Sequence, residues 1–344
     1  MKTLGLMAVI IGAGGALKSP SRDQGRMGGF TRFGSALVVR SSPPLILDVD
    51  AGAAKPVEVP GLTTVFSVGG DTMPIAAGLR DGGVVIRRQR AGAWADLALP
   101  APLSSLRGTM GVSVAASGER VVATWWSSDG TTKPPTYASG LTVFDGAAWR
   151  DVVLPETPAG KLPMHAVWAQ TRWLFGYARG EWGGSLWELD STGTMKRVGP
   201  SQDLPINAIV PLPDGRVLVG QGLAHLGGLN AEVGVLDAKN TWSVVARADG
   251  YEPKKNVAWP LAADSVEGVA VDSSGAMFAL TGSQGVVRLS ASGASKVIPG
   301  WPTEHLYGNG LAIEGEHFVI GTFDSGVLVW TPSTKQLRRV PIPR

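Results

Sequence analysis

The chain writes nearly the same phrase twice. GAWADLALP occupies residues 92–100 and AAWRDVVLP occupies residues 147–155, with Ala93/Ala148, Trp94/Trp149, Asp96/Asp151, Leu99/Leu154 and Pro100/Pro155 in register. A phrase that returns after about 55 residues marks a repeated supersecondary unit, and a repeat restricts the possible folds more than any composition does.

The phrase closes a longer unit. Residues 266–298 show it whole: VEGVAVD, the turn SSG, AMFALTG, a short loop, GVVRLSA, the turn SGA, then SKVI. Apolar alternation broken by Gly, Ser and Asp is the period-2 pattern of antiparallel strands. Third strands are expected at 45–49, 84–88, 141–144, 185–189, 233–236, 286–289 and 327–330. Fourth strands are expected at 56–59, 96–99, 151–154, 195–198, 242–245, 295–298 and 337–340. Seven four-beat units predict an all-β, seven-bladed β-propeller, in which each blade buries against its neighbours the faces it cannot cover alone. Tandem sandwich domains lack that beat. Trp94, Trp149 and Trp242 share one slot at the start of the fourth strand and are expected to pack between blades. Each unit carries its own four strands, so residues 28–60 should form the first blade and meet residues 301–344 by side-chain packing alone.

Composition agrees. Glycine is abundant at 47 residues, only 17% of residues are charged, and helix-favouring runs are missing. A net charge of +3 without a dense basic run argues against a nucleic-acid partner. With no cysteine, disulfides, thiolate nucleophiles and thiolate metal sites are excluded. Residues 1–17, MKTLGLMAVIIGAGGAL, have the layout of a short secretory signal peptide. They are too short to span a bilayer comfortably, so no transmembrane segment is expected. The same stretch fails as a dinucleotide fingerprint, because Lys18-Ser19-Pro20-Ser21-Arg22 stands where a helix should follow. The expected organisation is a leader (1–17), a linker (18–27) and one propeller domain (28–344), periplasmic or secreted.

Residues 205–219 (PINAIVPLPDGRVLV), 266–280 (VEGVAVDSSGAMFAL) and 308–320 (GNGLAIEGEHFVI) resemble repeats of the NHL and SMP-30/gluconolactonase-like propellers. VFDGAAWRDV at 143–152 is similar to units of two-component sensor propellers. Aligned on their apolar cores, four first strands begin with His165, Asn207, Glu267 and Asn309 near the channel mouth. The SMP-30 resemblance implies a divalent metal (Ca, Mg, Mn or Zn) there, held by the oxygens of Asn207, Glu267 and Asn309. His165 stands where that class has a carboxylate. Hard cations prefer more anionic oxygen than one carboxylate supplies, so the expected default is no cofactor, with these side chains solvating the channel and bonding strand backbone.

The turns after first strands are tight. The connections from second to third and from fourth to first strands are long, as at 125–140, 179–184, 225–230, 250–265 and 301–310. Long loops on a rigid scaffold display binding groups. The ligand-binding candidates on that face are Trp125, Trp126, Tyr137, Arg179, Trp182, His225, Glu304, His305 and Tyr307. The expected function is a binding or scaffolding module for a protein or glycan, as a monomer or as a subunit of a larger assembly. The alternative, implied by the SMP-30 resemblance, is a metal-dependent hydrolase of lactones or esters with its site at the channel mouth, and Glu267 and His305 as catalytic candidates.

Overall fold

The computed structural model describes residues 29–107, 109–128, 137–154, 162–178, 183–200, 203–225, 228–249, 265–282, 284–290, 293–299, 301, 308–322 and 326–342. Their strands form seven antiparallel four-stranded sheets, each ordered first, second, third, fourth in chain sequence. The blades span residues 30–56, 64–96, 109–152, 165–198, 206–249, 266–296 and 308–340. First strands are innermost: each touches the first strand of the next blade, and the last (Gly308–Glu314) returns to the first (Phe30–Phe33). The protein is a seven-bladed β-propeller.

Alternation along the strands builds the core. In the second strand of blade 1, Leu37 and Val39 face blade 7 while Val38 faces blade 2. Buried side chains gather into seven clusters, one at each boundary between neighbouring blades. Because both faces of a blade are sealed by neighbours, its middle strands read as nearly continuous apolar runs, such as Phe318-Val319-Ile320.

The repeated tryptophan occupies the slot expected of it. Trp94 lies in the cluster between blades 1 and 2, Trp149 between blades 2 and 3, and Trp242 between blades 4 and 5. Each reaches back to the preceding blade; Trp94 stacks on Phe33 with ring centroids 5.9 Å apart. Glycine supplies the floor under several of these rings. Trp242 lies over Gly234, and a Cβ at Gly140 would come 2.5 Å from Trp125 Cζ2. Some of the glycine therefore serves aromatic packing as well as turns, as at Gly111, Gly140, Gly234 and Gly285.

No strand is exchanged at the closure among the described residues. Val319, Val327, Val329 and Val340 of blade 7 pack against Leu37, Val39, Leu45 and Leu47 of blade 1. Polar contacts secure the rim: Arg32 pairs with Glu314, Arg338 Nη1 donates to Asp50 O at 3.0 Å, and His317 Nε2 lies 3.2 Å from Asp50 Oδ1. A comparable clamp joins blades 4 and 5. Arg172 binds Glu188 at 2.9 Å and the carbonyl oxygens of Asp237 and Ala238 at 2.7 and 3.1 Å.

Four fourth strands start two or three residues earlier than the pattern suggests, Trp149–Val152 and Gly293–Lys296 among them. Ladder pairing covers Ala53–Pro56 and Ala93–Asp96, not 56–59 and 96–99. The alternation continues past the paired segment because Val57 and Val59 still insert into the core after the strand has left its partner. Turns on the face below are held by aspartates. Asp145 Oδ1 accepts the amides of Ala147 and Ala148 at 2.9 and 3.0 Å, and Asp237 Oδ1 accepts those of Lys239 and Thr241, both at 2.8 Å. The Ala148 and Ala147 amides hold the Asp145 carboxyl below its ordinary range.

Candidate functional site

The two faces of the ring differ. On one, first-to-second and third-to-fourth connections are short, as between Ala169 and Arg172 or Glu314 and His317. On the other, the chain runs from Asp96 to Thr109, from Val152 to His165, from Asp249 to Val266 and from Lys296 to Gly308 between paired strands. This second face surrounds the channel mouth, since first strands begin there.

Several residues expected on loops of that face belong to strands. Trp125 pairs with Gly140, Trp126 with Ser139, and Tyr137 with Ser128, so the connection there is 129–136 and not 125–140. His225 ends a second strand and pairs with Gly228. The alternating side chains of Trp125–Ser128 and Tyr137–Gly140 simply continue the ladder. Trp125 packs against the cluster between blades 2 and 3. Trp126, half-buried, lies over Gly111 on the opposite side of the blade, where a Cβ would come 2.5 Å from its Nε1. Arg179, Trp182, Glu304, His305 and Tyr307, and the side chains of Tyr137, His225 and Asn309, lie outside the described residues.

At the mouth, Asn207 and Glu267 occupy the same kind of position. Both sit at register shifts, between Ile206 and Ala208 and between Val266 and Gly268. The bulge turns the side chain away from the blade faces. Asn207 Nδ2 donates to Gly222 O at 2.9 Å and Val266 O at 2.7 Å, tying its blade to the next. Ser265 Oγ donates to Glu267 Oε1. His165 is placed differently. It pairs with Gly176, the counterpart of Gly220, whose partner is Ala208. Gly176 and Gly220 match because each lies under the first strand of the following blade, at Ile206/Ile209 and Val266/Val269. His165 therefore stands one step farther along its strand than Asn207.

One residue at the mouth escaped the sequence reading. Arg40 follows the second strand of blade 1, and its N–H donates to Gly29 O at 2.9 Å, beside the entrance of the innermost strand. Burial lowers its pKa from the ordinary arginine value. Burial, and then the charge of Arg40, push His165 down to about 3. Blades 1 and 4 are not neighbours in the ring, and both residues belong to the ends of their blades nearer the channel mouth. A guanidinium here opposes a cation. Among the described residues no three His, Asp or Glu side chains converge as a metal set would, and Asn207 turns its amide nitrogen to backbone. These groups do not fit a divalent cage.

His165 gives the fold a defined acid response. Unfolded, the imidazole takes up a proton below 6.5; folded, it stays neutral down to about 3. The unfolded state then binds more protons, so stability is lost as the pH falls from 6.5 towards 3, and this contribution levels off below. Each pH unit in that window carries at most about 1.4 kcal/mol, reduced by water in the channel. His165→Gln is expected to flatten the fall in melting temperature between about pH 6.5 and about pH 4. Parallel curves for the two proteins would show that His165 is already charged in the fold.

No protein-family model matches the chain, and no curated protein does. Solved structures do match. Puromycin hydrolase aligns with a TM-score of 0.55 at 15% identity, over 94% of this chain and 56% of that one, so this chain spans little more than half of it. The WD40 β-propeller domain of Doa1 gives 0.51 at 13% identity, over 89% and 93%. The computationally designed Ika8 protein gives 0.51 at 15%, over 92% and 86%. Likenesses this low in identity bear on architecture, and the architecture they share with this chain is the β-propeller.

Proposed function

We propose that the protein is a non-enzymatic binding module whose partner, a protein, docks on the face that surrounds the channel mouth. The observation that carries the reading is the inequality of the two faces: short, aspartate-held turns below and long connections above. A propeller with a WD40-like outline is compatible with scaffolding. A protein is favoured over a glycan because both described candidate tryptophans spend part of their ring surface on the fold itself: Trp125 against the cluster between blades 2 and 3, and Trp126 over Gly111. The leader-like residues 1–17 support a periplasmic or secreted setting, which N-terminal sequencing of the mature protein tests.

A photo-crosslinking residue placed at Trp126 is expected to trap one discrete partner from the native compartment, and the same residue at Gly118, on the turn face, is expected to trap none. Equal trapping at both positions, or none at either, removes the proposal. The metal-hydrolase alternative has its own test. A stoichiometric divalent metal, lost in Glu267→Ala, would restore it.

A further inference from the structure

A groove opens on the mouth-side face between blades 1 and 2. Its volume is about 920 Å³, near the top of the roughly 300–1,000 Å³ range of pockets that enclose a compact ligand. One wall is Ser42-Pro43, in the connection from second to third strand of blade 1. The other is Val57–Val65, which runs from the fourth strand of that blade into the first strand of blade 2. The apolar rhythm that outruns the ladder makes the lining: Val57 and Val59 turn inward and are buried with Val65, while Glu58 between them faces out. Pro43 and Pro60 stand exposed beside them, and Leu62 is half-buried.

The second wall is held in place. Arg80 Nε donates to Gly61 O at 2.9 Å, Arg87 donates to Pro60 O, and both guanidiniums pair with Asp96. Thr63 N donates to Leu79 O at 2.7 Å, and Val57 N donates to Pro44 O at 2.9 Å. A wall fixed in this way loses little freedom when something binds along it. Its polar groups are not all used by the fold. The hydroxyls of Ser42 and Thr64 carry no hydrogen bond, and Glu58 makes no ion pair. Among the described residues that line the groove, Glu58 alone is charged.

We propose that the groove holds an extended, apolar segment of the partner protein, bearing a Lys or Arg whose cation pairs with Glu58. The valines and prolines cover its apolar side chains, the two free hydroxyls meet its backbone, and the unmatched carboxylate sets the sign of its charge. An acidic segment would set like charge against Glu58. The inference rests on the docking reading and narrows it to one place on that face.

The test uses the full chain and paired sets of short, capped, fluorescent peptides of Val, Leu and Pro. One set has a central Lys, the other has Glu in its place, and anisotropy reads the binding. At least one Lys peptide is expected to bind saturably, and its Glu counterpart is not. Glu58→Gln should weaken the Lys peptide by about two- to fivefold, the worth of an exposed ion pair. Glu58→Lys should reverse the preference, which a merely structural glutamate would not do. Ser42→Trp, at an exposed position, should fill the groove and abolish binding; the Glu58 variants keep the test independent of that bulkier change.

The proposal is overturned if no Lys peptide binds, if binding ignores Glu58→Lys, or if it survives Ser42→Trp. It is also overturned if removing residues 1–28 greatly tightens peptide binding, which makes this chain's own N-terminal segment the occupant. A dimer that Ser42→Trp disperses would overturn it in favour of a second copy. If the groove fails while the crosslinker at Trp126 still traps its partner, the docking reading stands without the groove; if that trapping fails, the reading itself is lost.

Discussion

Deletion of residues 29–60 is expected to abolish the single cooperative unfolding transition and to leave a protein that binds a hydrophobic dye strongly. Blade 1 is covered on one side by Val319, Val327, Val329 and Val340, and on the other by Val65, Val68 and Ala76. Its loss uncovers both sets together. Burial of each such valine is worth about 1.5–3 kcal/mol, so the exposed faces forfeit an amount comparable to the roughly 5–15 kcal/mol that keeps an ordinary domain folded. Blade 7 would also lose the Arg32–Glu314 pair and both contacts to Asp50. Size-exclusion chromatography with dye binding reads the outcome. A compact, monomeric deletion protein that melts like the parent would show that six blades reseal and that the interface between blades 7 and 1 is dispensable.

Phe175→Ala is expected to produce the largest loss among single core truncations. Phe175 is fully buried in the second strand of blade 4, in the cluster shared with blade 3. Truncating a buried phenylalanine costs about 3–5 kcal/mol, and the upper end applies where neighbours cannot collapse into the space. They are constrained here, because Trp173 and Tyr177 flank it on the same strand and are themselves buried. Denaturant unfolding should show a lower midpoint with an unchanged slope, since the surface exposed on unfolding stays the same. A loss under about 1 kcal/mol would mean that blades 3 and 4 are not packed as described.

Much of the architecture was legible because it rests on local alternation and on a recurring phrase. Trp94, Trp149 and Trp242 reported a shared slot before any coordinate did. The ends of strands were less legible. Val57 and Val59 keep the apolar rhythm after hydrogen bonding has stopped, so rhythm alone overshoots the ladder. The mouth was harder still. Aligning first strands by their apolar residues put His165 level with Asn207, whereas the bulges at Asn207 and Glu267 displace those two by one step. A bulge adds a residue without changing composition, and nothing near it in sequence announces it. Arg40 was invisible for a different reason. It stands just past the end of a strand, where the apolar rhythm has stopped, and no periodicity marks a residue there.

The seam between the last blade and the first governs how the molecule is made. Residues 30–56 emerge from the ribosome early, but the valines that shelter them arrive only with residues 319–340. At about 5–20 residues per second, that interval lasts some tens of seconds. Throughout it, the nascent chain carries a bare greasy flank at its leading end, and whatever escorts it must stay until the final sector is delivered.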